Sequence, residues 1–157
     1  MKLIFPLVFI LCLLVACKQS APESFVENDA VSADTPVGAQ ANIEIDKNNS
    51  ALIEAFKNKK SDIFIEGEGV VKKLLPDDNK GSRHQKFLLS VSPEQTLLFA
   101  HNIDLAPRVE NLQIGDEVMF KGEYVYNPKG GVMHWTHKDP QGKQQGGWIK
   151  HNGKRYE

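Results

Sequence analysis

The sequence predicts a mainly β domain that follows an export signal and a polar tether. Three observations lead to this prediction. A short apolar run at the start ends at a cysteine, an acidic stretch with a single aromatic residue follows it, and a series of short alternating segments separated by turn residues occupies the rest. We therefore divide the chain into residues 1–16 as a signal peptide, 17–46 as Cys17 followed by a disordered acidic tether, and 47–157 as the β domain.

The N-terminal segment has the pattern of a secretory signal peptide. Residues 3–15 are apolar throughout, Lys2 precedes them, and Leu14-Val15-Ala16 stands before Cys17. The run is shorter than the roughly 20 residues that a membrane-spanning helix needs. Its ending resembles the lipobox of bacterial lipoproteins, a family in which cleavage leaves the cysteine first in the chain and acyl chains are attached to it. The alternative is a plain signal peptide with an incidental cysteine.

The resemblance to lipoproteins implies a location as well as an anchor. It implies that Cys17 carries acyl groups such as palmitate, which hold the protein on a membrane. In that family an Asp after the cysteine commonly retains the protein at the inner membrane, whereas this chain has Lys18. We therefore expect a bacterial cell-envelope protein on the periplasm-facing side of the outer membrane.

The composition of the tether and the domain excludes several classes of chemistry. Residues 18–46 hold one Lys against six Asp and Glu, with Phe25 as their single aromatic residue, and such a segment buries too little apolar surface to fold. Cys12 and Cys17 are the only cysteines, so the processed domain has no free thiol for catalysis or metal binding. The domain is only slightly basic, which makes nucleic acid an unlikely partner.

The domain begins with a helix and continues with strands. Ser50 is a suitable N-cap for a short amphipathic helix that ends near Lys59-Lys60. Gly67 and Gly69 predict a bend or bulge in the first strand. Five strands are predicted over 63–75, 85–91, 95–100, 117–126 and 132–137, with a connector over 103–112 that includes at most one helical turn.

The C-terminus predicts a hairpin, and the whole pattern predicts a known architecture. Residues 148–151 and 154–157 flank Asn152-Gly153, a strong type I′ turn signal. Five short strands with a kinked first strand and a connector after the third are typical of the OB-fold. The predicted class is therefore mainly β, a small five-stranded OB-like Greek-key barrel with a short N-terminal helix and a C-terminal β-hairpin.

Several longer motifs also carry a family resemblance. They are Asp77-Asp78, Gly81-Ser82-Arg83-His84-Gln85, the segment 101–108 (HNIDLAPR) and the segment 130–140 (GGVMHWTHKDP). From about Gly67 onward the chain resembles the bacterial domain of unknown function 3465 family. The resemblance implies a small exported domain, and it implies no activity and no catalytic residues.

Histidines at the ends of the predicted strands are the first candidates for chemistry. An imidazole near neutral pH is a suitable general base, and a guanidinium stabilises developing negative charge. We expect His84, His101 and His134 to converge with Asp104 near one opening of the barrel, although a single histidine at a strand end usually has a structural role. The resulting alternative function is a His-dependent hydrolase, with or without a metal, such as a nuclease-like phosphodiesterase. The candidate catalytic residues are Arg83, His84, His101, Asp104, Arg108 and His134.

A transition metal is a second use of the same region. Imidazole and carboxylate ligands suit zinc, iron or manganese. In a regular strand, alternation allows His137 and Asp139 to face one way, whereas His134 faces the other. The candidate metal ligands are therefore His137 and Asp139.

Binding of a partner is the leading hypothesis for the function. OB-type surfaces bind oligosaccharides and oligonucleotides, and the predicted location favours an envelope glycan or protein. The candidate ligand-binding residues are Gln85, Asn102, Trp135 and Thr136. The sequence thus predicts a lipid-anchored envelope protein with a binding or accessory domain, and it leaves open whether the domain is an enzyme.

Overall fold

A computed structural model of the chain describes residues 48–157. The predicted signal peptide, Cys17 and the tether lie outside the described residues. One short helix and a seven-stranded sheet make up the regular structure, so the described part is mainly β. The elements are α1 (Ser50–Lys57), β1 (Ile63–Asp78), β2 (His84–Ser90), β3 (Thr96–Asn102), β4 (Glu117–Val125), β5 (Val132–His134), β6 (Trp148–His151) and β7 (Lys154–Tyr156). Among these residues no helix has the length and apolarity needed to cross a membrane.

Five of the seven strands form a closed ring. Their order is β1-β2-β3-β5-β4, and β1 closes the ring because it also pairs with β4. All neighbours in the ring are antiparallel except β3 and β5, which run parallel. The β6–β7 hairpin extends the sheet from the first half of β4, next to the point where β5 pairs with the second half.

The inside of the ring is the hydrophobic core. Residues in β2 and β3 alternate between buried and half-buried, as expected for strands with one side in a core. Phe87 stacks on Phe99 with ring centroids 4.9 Å apart, and Phe120 meets Phe99 edge-on at the same distance. Tyr124 is also fully buried. Such aromatic pairs add about 0.5–1.5 kcal/mol beyond their burial, so they give the small core much of its rigidity.

The two ends of the ring are covered by different parts of the chain. Helix α1 covers the first end with Leu52 and Ala55, both buried in the core. Residues 103–116 link β3 to β4 and cover the opposite end, where Val109 and Leu112 are buried in the same core. We call this second end the connector end.

The first strand and the helix depart from prediction in detail. Register shifts fall between Val71 and Lys73 and between Leu75 and Asp78, not at the glycines. Gly69 instead leaves room for a neighbouring strand, since a Cβ there would lie 2.5 Å from the carbonyl oxygen of Ser90. Helix α1 ends at Lys57, and Asn49 rather than Ser50 occupies its N-cap position.

The later elements confirm the hairpin and correct the fifth strand. Asn152 and Gly153 have φ values of 47° and 76°, as the predicted type I′ turn requires. The fifth strand stops at His134 rather than His137 because Trp135 has a φ of 52°, which no strand residue adopts. The connector has turns but no helix.

Candidate functional site

The strand directions bring several predicted site residues to the connector end. Because β3 and β5 are parallel, their last residues, Asn102 and His134, lie at the same end of the ring. Strand β2 begins there, and its first residue, His84, is the register partner of Asn102. The loop of residues 135–147 also starts at this end.

The three candidate histidines do not share one face of the sheet. His101 is completely buried and lies on the inner face, in line with Phe99 and Leu97. His84 and His134 occupy half-buried positions of the alternating pattern, on the outer face. The three imidazoles therefore lie at one end of the ring without sharing a face, because strand alternation places His101 inside the sheet and the other two outside.

His101 is engaged at both ring nitrogens. Its Nε2 lies 3.0 Å from the carbonyl oxygen of Pro107, which can only accept, so this nitrogen carries the proton. Its Nδ1 lies 2.8 Å from the hydroxyl of Thr136, which donates. Burial lowers the pKa of His101 below its ordinary value, although the hydrogen bond to the Pro107 carbonyl oxygen partly opposes this shift. The imidazole is a neutral internal link between β3, the connector and the segment after β5.

The arginine and aspartate candidates at this end are paired with one another. Asp104 accepts hydrogen bonds from the backbone N–H and the Nε of Arg83, each at 2.7 Å. The backbone bond first, and then the guanidinium, lower the pKa of Asp104. Arg108 forms an ion pair with Asp77. These pairs neutralise the charges in place and fix the loops around the connector end.

Two of the four ligand-binding candidates are internal. Gln85 donates to the carbonyl oxygen of Val109 at 3.1 Å and accepts from the N–H of the same residue at 2.8 Å. Thr136 is fully buried against His101. Asn102 is half-buried, and its side chain accepts from the N–H of Asp104 at 3.0 Å.

The two candidate metal ligands form hydrogen bonds within the loop that follows β5. His137 is 3 % exposed, and its Nδ1 lies 2.7 Å from the carbonyl oxygen of Lys138. The Asp139 carboxylate accepts three backbone N–H groups, and these bonds lower its pKa. Because β5 ends at His134, the expected strand alternation does not extend to His137 and Asp139. Between Asn48 and Glu157, no three His, Cys, Asp or Glu side chains form a group that could hold a metal ion.

His134 and Trp135 also present part of their side chains on the surface. The His134 side chain is 39 % exposed, and its Nε2 lies 3.8 Å from a carboxylate oxygen of Glu123 on the neighbouring strand. Trp135 is half-buried, and its Nε1–H donates to the carbonyl oxygen of Gln145 at 3.1 Å. The indole N–H is thus satisfied within the loop.

The outer face beside these residues was missed by sequence reasoning. Leu88 on β2 is the register partner of Leu98 on β3, and Leu98 pairs with Val132 on β5. All three are half-buried and form an apolar row across β2, β3 and β5, on the same outer face as His84 and His134. The sequence contains an indication of this face, because the apolar residues of these strands follow one another without interruption. Such a run is typical of strands that contact apolar groups on both faces. We call this row, together with His84, Asn102 and His134 on the same outer face and Trp135 directly after His134, the candidate face.

Two open surface grooves accompany the ring. One, of about 500 Å³, lies where β1, β4 and the hairpin meet, and its lining includes Glu68, Glu117 and Met119 but none of the predicted site residues. The other, of about 480 Å³, lies beside the connector and is lined by Gln85 and Arg108 among others. Only the second groove adjoins predicted residues.

Another buried polar pair lies away from the candidate face. His151 on β6 is buried, and its Nε2 lies 2.8 Å from a carboxylate oxygen of Asp116 directly before β4. The pKa of Asp116 is lowered, first by the N–H of Gln113 and then by this imidazole. The pair ties the C-terminal hairpin to the turn before β4.

Comparison with known families agrees with the resemblance found in the motifs. The family model described as "Protein of unknown function (DUF3465)" matches residues 37–157. The chain belongs to the DUF3465 family. No curated protein matches this DUF3465 chain.

Proposed function

We propose that this DUF3465 protein is a lipid-anchored protein of the bacterial cell envelope whose domain is an OB-like Greek-key barrel that binds a ligand on the candidate face. The strand order β1-β2-β3-β5-β4, closed by β1 with β4, supports the OB-like assignment. In folds of that kind the second and third strands, with the loops after the first and fourth, make up the binding surface. The corresponding surface here is the outer side of β2 and β3.

One observation carries the binding function. The parallel pairing of β3 with β5 gathers the ends of three strands and the 135–147 loop at the connector end. His84, Asn102 and His134 stand there on the outer side of the same strands whose half-buried Leu88, Leu98 and Val132 form the apolar row. A few polar groups beside an apolar surface are typical of ligand sites.

The alternative, a His-dependent hydrolase, has weaker support. A general base needs a free nitrogen within reach of a substrate proton. His101 lacks one, because both ring nitrogens are bonded inside the protein. Arg83 and Arg108 are held by Asp104 and Asp77 and are not directed at an unpaired nucleophile.

Accessibility of single cysteines tests the proposed face. Cys12 belongs to the predicted signal and Cys17 would be acylated, so an added cysteine would be the sole reactive thiol. We expect Lys86→Cys and His134→Cys to react with a maleimide in the purified protein but to be protected in intact envelopes. Glu66→Cys, on the exposed outer side of β1, should react equally in both. Equal labelling of all three in envelopes would rule out a ligand on the candidate face.

The alternative function and the location need separate measurements. Turnover of phosphodiester or ester substrates that is lost in His84→Ala and His134→Ala would favour the hydrolase. Fractionation of the two membranes of a diderm host tests the outer-membrane location, and recovery in the inner membrane or in the soluble fraction would contradict it.

A further inference from the structure

We propose that Trp135 is a stacking platform for a sugar ring, so that the ligand of the candidate face is a glycan. This inference rests on the proposed function and specifies its ligand. Four features support it: the backbone conformation of Trp135, the support beneath its ring, the rigidity of its loop, and the electrically balanced surroundings.

The first feature is a backbone conformation that an aromatic residue rarely adopts. Trp135 has a φ of 52°, directly after the last residue of β5. A bulky residue in the left-handed region costs on the order of 1–2 kcal/mol, and such residues cluster at functional sites. The positive φ ends β5 and turns the chain into the 135–147 loop at the connector end. Glycine would adopt this φ without strain, so the tryptophan carries a conformational cost that glycine would avoid.

The second feature is the way the ring is held. Its Nε1–H donates to the carbonyl oxygen of Gln145, and the buried His137 ring lies against it with centroids 4.9 Å apart. His137 is in turn fixed by the carbonyl oxygen of Lys138. Because its N–H is already satisfied, the part of the indole that reaches solvent offers aromatic surface rather than a free donor.

The third feature is the order of the loop around the ring. The Asp139 carboxylate accepts N–H groups from Gln141 at 3.0 Å and from Lys143 and Gln144 at 2.7 Å each. The N–H of Gly147 donates to the carbonyl oxygen of His137 at 2.8 Å, which closes the loop. A preorganised surface loses little conformational entropy on binding. This matters for ligands such as sugars, whose individual contacts are weak.

The fourth feature distinguishes a glycan from a strongly charged ligand or a large protein partner. The two arginines at the connector end are paired with carboxylates, Arg83 with Asp104 and Arg108 with Asp77. Asn102 and His134 offer planar polar groups that suit hydroxyls. The apolar row is only half-buried in narrow strands and does not form the broad apolar core of a stable protein interface.

Binding of cell-wall glycan to variants of the full acylated chain tests the inference. The probes are purified peptidoglycan sacculi and a soluble tetramer of β-1,4-linked N-acetylglucosamine. We expect sacculi to retain the wild-type protein and the tetramer to release it. Trp135→Gly should weaken retention about tenfold or more, which corresponds to loss of one stacking contact of about 1.4 kcal/mol. Trp135→Phe should restore part of it, and Tyr126→Ala, at the helix end of the ring, should bind as the wild type.

A fluorescence measurement separates lost contact from lost folding. In a Trp148→Phe background Trp135 is the single tryptophan, and its emission should shift when the tetramer is added. Unchanged emission, or a Trp135→Gly variant that binds sacculi within twofold of the wild type, would overturn the inference. If cysteines on the candidate face are protected in envelopes even after the glycan strands are digested with lysozyme, the binding function stands and the glycan is wrong. If they are never protected, the proposed function itself fails.

Discussion

The Nδ1 of His101 accepts a hydrogen bond of 2.8 Å from the hydroxyl of Thr136, which joins the inner side of β3 to the segment after β5. The Nε2–H of the same imidazole donates a hydrogen bond to the Pro107 carbonyl oxygen in the connector. A residue that the sequence marks as a candidate base is therefore part of the internal framework at the connector end. Its partners require the neutral ring, and this has a consequence for stability.

The free energy of unfolding should decrease as the pH falls below 6.5. Burial lowers the pKa of His101 in the folded state, so the unfolded chain takes up the proton first. The stabilisation is complete above pH 6.5 and is lost as the pH falls toward the lowered value, at up to about 1.4 kcal/mol per pH unit. Urea unfolding at pH 7.5, 6.5, 5.5 and 5.0 measures the slope.

Two variants assign that slope to His101. His101→Gln should lower stability by about 1–3 kcal/mol at pH 7.5, because it leaves buried groups unsatisfied, and should flatten the pH dependence. His84→Gln, on the outer face, should keep the wild-type slope. An unchanged slope in His101→Gln would mean that another group is responsible.

Asn49→Ala should destabilise the domain by about 2–4 kcal/mol. Asn49 is fully buried, donates to the carbonyl oxygens of Glu68 and Val91 at 2.8 Å each, and accepts from the N–H of Glu68 at 2.9 Å. Removal of the Asn49 side chain would leave three backbone groups without their hydrogen-bond partner. The neighbouring Asn48 is exposed and makes one side-chain bond, so Asn48→Ala should change stability by about 0.5 kcal/mol or less. Chemical denaturation compares the two, and equal effects would contradict the anchoring role of Asn49.

Gly131→Ala should be much more harmful than Gly153→Ala. Both glycines have positive φ values, 107° and 76°, so alanine is strained at each. A Cβ at Gly131 would also overlap the Tyr124 ring, whereas a Cβ at Gly153 meets nothing within 4 Å. We expect a loss of about 3–5 kcal/mol at Gly131 and about 1–2 kcal/mol at Gly153, measured by urea unfolding. Comparable losses would mean that the Tyr124 packing relaxes freely.

Cys17→Ala should prevent lipid attachment. The lipobox pattern places the acyl chains on this cysteine, so the variant should incorporate no labelled palmitate and should accumulate as unprocessed precursor. Metabolic labelling followed by membrane fractionation measures both effects. Normal cleavage with unchanged membrane association would contradict the lipoprotein prediction.

Deletion of residues 21–41 should change the melting temperature by less than about 2 °C. This segment contains one aromatic residue, Phe25, and many small or acidic residues, so little apolar burial would be lost. Calorimetry of the deleted and the full processed chain measures the difference. A decrease of many degrees would mean that the segment packs against the domain.

Much of the fold follows from local patterns in the sequence. Strands were predicted over 85–91, 95–100 and 117–126, close to the observed β2, β3 and β4, and Asn152-Gly153 predicted the hairpin because few residue pairs tolerate two positive φ values. The 101–108 and 130–140 motifs predicted the family that the comparison confirms. The anchor, the tether and the location stay predictions.

The tertiary structure decided the rest because the deciding partners are distant in sequence. Closure of the ring depends on pairing β1 with both β2 and β4, which no local pattern specifies. The role of His101 depends on Thr136, which is separated from it by 35 positions. Trp135 ended the fifth strand early through its own positive φ, a conformation that residue type alone would not predict. The sequence therefore determined which polar residues lie at strand ends, and the packing decided which of them face the core and which face solvent.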